Sequence, residues 1–228
     1  DNQFLENSDP YALGLALLKE GKLKPAIKAF EAATQKNPEN ADAWRYLGQC
    51  QAENEDERLA IAALLKCIQI DPYNLPALLM LGVSYTNDLA ESRALNYLKT
   101  WMVNNSDYQG TEVMEHVQKI EEYTEMYGGT DGNFDGFLHE QVTQMFLKAA
   151  EINPKDADVF TVLGVLYHIS SEFDLAIDAF RKAVELNPND PTLWNKLGAT
   201  QANSSRSAEA VSAYKNALQL RPTYVRAL

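Results

Sequence analysis

Cysteine, histidine and clustered positive charge are all scarce in this sequence of 228 residues. Two cysteines, Cys50 and Cys67, are too few for a disulfide framework, and we interpret both as reduced, buried thiols within helices. The three histidines, His116, His139 and His168, lack metal-ligand spacing, and neither a glycine-rich phosphate loop nor a nucleophile elbow is present. The sequence therefore predicts a protein that is not an enzyme and that needs no cofactor or metal.

The charge balance is acidic, with 20 lysines and arginines against 32 aspartates and glutamates and a net charge of −12. Phosphate backbones and anionic membranes attract clustered cations, so we predict that nucleic acid is not a partner. No apolar run approaches the roughly 20 residues that cross a bilayer, so we predict no direct membrane insertion. The low cysteine content is typical of a reducing, cytoplasmic compartment.

Five prolines mark a repeat of 34 residues. Pro38 and Pro72 are one period apart, and Pro154, Pro188 and Pro222 are successively one period apart. Each proline follows an apolar stretch of helical character, which a proline cannot extend. The units are 7–40, 41–74, 75–108, 157–190 and 191–224.

The same residue types recur within each unit. Position 8 is glycine, position 20 is alanine and position 24 is large and mostly apolar, so we expect two antiparallel helices to approach closely beside a bulky side chain. These residues are Gly14, Gly48, Gly82, Gly164 and Gly198; Ala26, Ala60, Ala94, Ala176 and Ala210; and Phe30, Leu64, Leu98, Phe180 and Tyr214. The pattern resembles the tetratricopeptide repeat. That resemblance implies an all-α fold in which antiparallel helix pairs stack into a right-handed superhelix.

Residues 109–156 interrupt the pattern. Their second half recovers it, with Val142, Phe146 and Ala149 at the expected positions, but their first half contains a glycine-rich run at 128–136. Glycine favours turns and flexibility, so we interpret this run as a hinge. We predict a first array of three repeats at 1–108, a degenerate fourth repeat with the hinge loop at 109–156, and a second array at 157–228. The second array is expected to hold repeats five and six and the start of a truncated seventh.

The repeat resemblance also implies which residues face a ligand, because positions 2, 5, 9, 12 and 13 of such units line a concave groove. Asn87, Asn195 and Asn203 occupy these positions. A side-chain amide both donates and accepts hydrogen bonds, so it can bind a peptide backbone whatever the peptide's side chains are. Small Ala199 and Ala202 would admit that backbone closely. We favour this peptide-binding interpretation over the alternative that the asparagines only solvate the surface.

Three stretches, 44–55, 83–87 and 193–200, resemble more specifically the cargo-binding region of the peroxisomal targeting signal type 1 receptor family. The resemblance runs from about residue 4 to the end of the chain. It implies that the asparagines clamp the backbone of a C-terminal signal of the Ser-Lys-Leu type, with acidic residues near its basic side chain. His168 departs from the family pattern, where asparagine is expected. The implied peptide-binding residues are Glu53, Asn54, Glu55, Thr86, Asn87, Val165, His168, Asn195, Ala199, Asn203 and Arg226.

This resemblance implies a receptor domain that recognises the C-terminal targeting peptide of cargo proteins for import into peroxisomes or glycosomes. The expected partners are those cargo peptides and, through regions outside this chain, peroxisomal docking proteins. The expected location is the cytoplasm, with cycling to the peroxisomal or glycosomal membrane.

Two alternative functions compete with this interpretation. A chaperone-adaptor repeat domain would grip an acidic C-terminal peptide through several lysines and arginines on successive inner faces. The inner positions here offer only Lys19, Arg45 and Arg226. A structural scaffold in a larger assembly is the other alternative, and it leaves the asparagine pattern unexplained.

Overall fold

A computed structural model describes residues 2–127 and 134–227, which form twelve α-helices and no β-strand. This confirms the predicted all-α class. The helices are α1 (Pro10–Lys19), α2 (Leu23–Lys36), α3 (Ala41–Glu53), α4 (Glu57–Ile70), α5 (Leu75–Asn87), α6 (Glu91–Asn104), α7 (Val113–Tyr127), α8 (Phe134–Ile152), α9 (Ala157–Ile169), α10 (Phe173–Leu186), α11 (Pro191–Asn203) and α12 (Ser207–Leu220). Most of the predicted hinge, residues 128–133, lies outside the described residues, and residues 134–136 begin α8.

Successive helices pack in pairs, from α1 with α2 to α11 with α12. The second helix of one pair also packs against the first helix of the next, as α2 does with α3 and α10 with α11. These contacts build the stacked array that the repeat pattern predicts. No helix in the described part of the chain combines the length and apolar character that a membrane span requires.

The close approach predicted at positions 8 and 24 is present in all five units. A Cβ atom built on Gly82 would lie 2.4 Å from Cδ2 of Leu98, and one on Gly164 would lie 2.6 Å from Cε1 of Phe180. Glycine is therefore required for the two helices of each of these five units to meet at this distance. The alanines at position 20 are buried beside them, so both sets of small residues serve the packing that the sequence indicated.

In each of the five units, the turn between the two helices contains one residue of left-handed backbone conformation, at position 15. Only the first unit places a glycine there, which relieves the steric cost of positive φ. The residues and φ values are Gly21 at 74°, Glu55 at 68°, Leu89 at 57°, Ser171 at 62° and Ser205 at 64°. The repeat geometry thus imposes this conformation whatever side chain is present.

The last described residues fold back onto the first two units. Tyr224 is 3% exposed, and Thr223 Oγ1 donates to the carbonyl oxygen of Gly21 at 2.7 Å. The Arg221 guanidinium pairs with the carboxylate of Glu53. These contacts bring the two ends of the array together around an interior cavity.

Candidate functional site

A cavity of about 1060 Å³ lies inside the array. Its wall is formed mainly by the first helices of the pairs, α3, α5, α9 and α11, together with residues near the end of the chain. Eight of the eleven predicted site residues line it: Glu53, Thr86, Asn87, Val165, His168, Asn195, Ala199 and Arg226. Asn54, Glu55 and Asn203 are not part of the wall that the described residues form.

Asn195 contributes an unused hydrogen-bond acceptor to the cavity. Its Oδ1 atom is buried and has no hydrogen-bond partner among the described residues. Ala199 follows one turn later on α11 and also lines the cavity. A buried acceptor without a partner costs about 1–3 kcal/mol, which a ligand's N–H group would recover. This arrangement is suited to an extended peptide backbone.

Glu57 joins two predicted site residues that are far apart in the sequence. Its Oε1 accepts from Asn87 Nδ2 at 2.7 Å and also from the guanidinium of Arg226. Arg226 Nε donates in addition to the carbonyl oxygen of Ala52 at 2.8 Å. Of the five N–H donors of the Arg226 guanidinium, two are then engaged, and the other three have no partner among the described residues.

Glu53 lines the cavity but is already paired. Its carboxylate accepts from Arg221 and, at 3.2 Å, from Gln49 Nε2. Asn54 ends α3 as its C-cap, and its Nδ2 donates to Asp56 Oδ2 at 2.7 Å. Glu55 is exposed on the following turn. Of the predicted site residues Glu53, Asn54 and Glu55, only Glu53 belongs to the cavity wall that the described residues form.

His168 connects α9 with α11. Its Nδ1 lies 3.3 Å from Thr200 Oγ1, whose hydroxyl donates to the Lys196 carbonyl oxygen at 2.9 Å. The hydroxyl is therefore an acceptor for His168, which places the proton on Nδ1 and leaves Nε2 to face the amide of Asn203 at 3.5 Å. Burial, with a further effect of Lys196, lowers the pKa of His168 and so favours its neutral form.

Thr86 and Val165 form part of the cavity wall, and neither side chain has a hydrogen-bond donor left for a ligand. The Thr86 hydroxyl donates to the Gly82 carbonyl oxygen one turn earlier, at 2.9 Å. Val165 is buried within a cluster that includes Phe180. Val165 therefore adds an apolar surface to the cavity wall.

The cavity carries more negative than positive residues. Its cations are Arg45, Lys196, Arg221 and Arg226, and its anions are Glu53, Glu57, Asp107, Asp156, Asp158 and Asp190. The three arginines are ion-paired with Asp42, Glu53 and Glu57. Within residues 2–127 and 134–227, Lys196 forms no ion pair.

Lys196 is a cavity residue that the sequence analysis missed. Burial, followed by the neighbouring charge of Arg226, lowers the pKa of its ammonium group to about 8. Its position 6 lies outside the set of inner positions that the repeat resemblance implies. Its position directly after Asn195 on α11 was the feature of the sequence that could have indicated that it lines the cavity.

Three family models described as tetratricopeptide repeats match residues 11–74, 164–205 and 191–224, which together make up more than half of the chain. The chain is 46% identical over 186 residues to a peroxisomal targeting signal receptor of Yarrowia lipolytica, covering 79% of this chain and 29% of that protein. It is 46% identical over 179 residues to peroxisome biogenesis protein 5 of Arabidopsis thaliana, covering 78% and 22%.

Among solved structures, a thermophilic TPR protein of Thermus thermophilus matches with a TM-score of 0.50 and 20% identity, over 96% of this chain and 93% of that one. This likeness concerns the fold alone. The chain spans less than a third of the length of the two curated relatives named above.

Proposed function

Because this chain belongs to the tetratricopeptide-repeat domains of the peroxisomal targeting signal receptor family, we propose that its cavity binds the C-terminal targeting peptide of cargo proteins. The peptide is of the Ser-Lys-Leu type and directs its carrier to peroxisomes or glycosomes. The proposal is supported by the relative from Yarrowia lipolytica, which is named a peroxisomal targeting signal receptor. The single structural observation that carries it is the unpartnered, buried Oδ1 of Asn195 in the cavity wall.

The peptide backbone would be held by amide side chains. Asn195 offers its Oδ1 to a backbone N–H, and Ala199 leaves room for the main chain. Asn87 is held in place by Glu57, so its own oxygen remains an acceptor on the opposite helix α5. Such contacts bind main-chain groups and therefore tolerate different cargo residues.

The terminal carboxylate would lie near Lys196 and Arg226. Among the described residues, Lys196 has no ion-pair partner and three N–H donors of Arg226 have no hydrogen-bond partner. Hydrogen bonds to charged groups contribute about 1.5–3 kcal/mol, more than neutral ones. The excess of negative residues elsewhere in the cavity would favour the basic side chain of the signal.

This function is binding, without catalysis or a cofactor. We propose in addition that the protein works in the cytoplasm, cycles to the peroxisomal or glycosomal membrane, and meets docking proteins through regions outside this chain. An acidic C-terminal peptide, as a chaperone adaptor would bind, fits less well because three of the four cavity cations already have acidic partners.

Fluorescence anisotropy with a labelled peptide ending in Ser-Lys-Leu tests the proposal. We expect saturable binding that is lost when the peptide's terminal carboxylate is amidated. Asn195→Leu should weaken binding by about 5- to 150-fold, because each lost buried hydrogen bond costs about 1–3 kcal/mol. The same change should not lower the melting temperature, since it removes a polar atom that has no partner.

Asn96→Leu is the matched control, because Asn96 is exposed on α6 and outside the cavity. It should bind like the unaltered chain. Equal affinity for the free and amidated peptides would refute the proposed function.

A further inference from the structure

Lys196 differs from the other lysines of this chain in its surroundings. It is the only lysine in the cavity wall that residues 2–127 and 134–227 form, and it is partly buried there. It also forms no ion pair within that part of the chain. By contrast, four other lysines lie 2.7–3.4 Å from a glutamate, namely Lys22, Lys28, Lys148 and Lys182. The cavity therefore contains an amine with which no carboxylate pairs.

The groups around Lys196 disfavour its charged form. Burial removes the water that would solvate an ammonium group, and the positive charge of Arg226 opposes a second cation in the same wall. Glu57 and Asp190 have the opposite effect on Lys196, but a smaller one. Glu57 is already paired with Arg226, and Asp190 Oδ1 accepts from the backbone N–H and the hydroxyl of Thr192 at 2.7 and 2.6 Å.

The result is a pKa of about 8 for the Lys196 amine. At about pH 7.5 roughly a quarter of the molecules then carry the neutral amine, against about one in a thousand for a lysine of ordinary pKa. A neutral amine is a nucleophile, and a lysine that is desolvated or lies next to another cation is activated in this way. The cavity volume of about 1060 Å³ leaves room for a small reagent beside it.

Acyl transfer from a thioester is the reaction that suits such an amine. The nitrogen lone pair attacks the carbonyl carbon, the C–N bond forms, the C–S bond breaks, and the thiolate leaves. The proton that the amine gives up passes through water to that thiolate. The product is an amide, which carries no charge and is larger than the amine by the acyl group.

We propose that Lys196 is a lysine-acylation site that accepts the acyl group of a small thioester, and that its acylation prevents the cavity from binding a terminal carboxylate. The first part depends only on the lysine and its surroundings. The second part rests on the proposed function, because it concerns the peptide that the same cavity binds. Acylation would remove the cation that has no ion-pair partner among the described residues and add bulk to the cavity.

S-acetyl-N-acetylcysteamine, a small acetyl thioester, is the probe for the first part. Peptide mass spectrometry of the unliganded chain measures the initial rate of acetylation at each lysine. Two internal references lie outside the cavity: Lys215 is exposed on α12, and Lys148 pairs with Glu151, which raises its pKa.

Lys196 should react about tenfold faster than either reference. Its amine is neutral about 200 times as often as that of an ordinary lysine, but nucleophilicity falls with the pKa, as it does for thiols, and this reduces the advantage. A rate at Lys196 no higher than at Lys215 would overturn the inference.

Fluorescence anisotropy with a labelled peptide ending in Ser-Gln-Leu tests the second part. Acetylation at Lys196 should weaken binding about tenfold or more, because a hydrogen bond to a charged group contributes about 1.5–3 kcal/mol. Lys196→Arg keeps a cation that does not react with the thioester, so the same treatment should leave the affinity of this variant unchanged. Lys196→Gln imitates the uncharged amide and should bind weakly without treatment, whereas Lys215→Gln, the matched control, should bind like the unaltered chain.

Circular dichroism establishes that each variant is folded, and the rates at Lys196 and Lys215 are measured on the unaltered chain, so they need no variant. Acetylation at Lys196 without weaker peptide binding would overturn the second part and leave the proposed function standing. Failure of the unmodified chain to bind the peptide would reject the proposed function and the second part with it, and the acetylation rates would still decide the first part.

Discussion

Glu53 and Arg221 form an ion pair between residues 168 positions apart, and the Glu53 side chain is only 4% exposed. The pair joins the end of α3, in the second unit, to the segment that follows α12. Burying either charge without the other would be unfavourable, and the attraction between the two offsets that cost. The contact between the two ends of the array therefore depends on a pair that no single repeat contains.

Arg221→Ala should destabilise the protein by about 2–4 kcal/mol, because it leaves the buried Glu53 carboxylate without its cation. Chemical denaturation at neutral pH measures the change. Arg181→Ala is the control, since Arg181 pairs with Asp178 and Glu209 at an exposed site and should cost about 0–1 kcal/mol. Equal losses in the two variants would contradict the role assigned to the Glu53–Arg221 pair.

Gly164→Ala should destabilise the protein by about 1–3 kcal/mol, because the new methyl group would overlap the ring of Phe180 and force α9 and α10 apart. Gly136→Ala is the control within another helix, α8. A Cβ at Gly136 meets no atom within 4 Å, so alanine should stabilise that helix by up to about 1 kcal/mol. Thermal unfolding of both variants provides the comparison, and opposite signs are expected.

Leu89→Gly should raise the stability by up to about 1 kcal/mol, although it deletes an apolar side chain. Leu89 is 92% exposed and has a φ of 57°, a conformation that costs a branched residue about 1–2 kcal/mol more than glycine. Leu59→Gly is the control, because Leu59 is also exposed but lies within α4, where glycine should cost about 1 kcal/mol. A lower melting temperature for Leu89→Gly would show that the turn tolerates leucine without strain.

The repeat packing could be predicted because its determinants are local and recur. Gly164 and Phe180 lie 16 residues apart in one unit, and a glycine with a large side chain 16 residues later recurs in the four other units. A contact that repeats at a fixed spacing can be read from one sequence. The left-handed turn residue could not, since glutamate, leucine and serine at that position carry no common signal.

The candidate site was only partly predictable. Asn195 and Ala199 lie on one helix face, so their common presence in the cavity wall follows from helical spacing. The pairing of Glu57 with Arg226 depends instead on how the end of the chain returns to the second unit. The position of the chain end beside the second unit depends on how all the repeats stack. The spacing of residues within one unit does not indicate it.

All eleven predicted site residues remain predictions, and three of them do not line the cavity that the described residues form. Asn54 and Glu55 lie at the turn after α3, and Asn203 ends α11, where its amide faces His168. Asn54 and Glu55 were inferred from resemblance to a receptor family, and Asn203 also from its inner position in the repeat. These three side chains can contribute to binding only if a bound peptide places its own polar groups within hydrogen-bond distance of them.

The affinity for a terminal carboxylate should decrease as the pH rises from about 7 to about 9.5. Burial and the charge of Arg226 lower the pKa of Lys196 to about 8 in the unliganded protein. Below that pH the ammonium group is charged and attracts the carboxylate, and above it the neutral amine does not. Since Arg226 stays charged throughout, we expect a loss of about three- to tenfold, near 1 kcal/mol, rather than complete loss of binding.

A labelled peptide ending in Ser-Gln-Leu is the suitable ligand for this titration, because it has no side chain that titrates in this range. His168 is already neutral, since its pKa is lowered, and burial raises the pKa of Cys50 to about 12 and of Cys67 to about 11. Lys196→Arg provides the matched control, because a guanidinium keeps its charge at every pH used. The variant should bind with little pH dependence while retaining every other titrating group of the chain. If it shows the same decrease as the unaltered protein, Lys196 is not the group that binds the carboxylate.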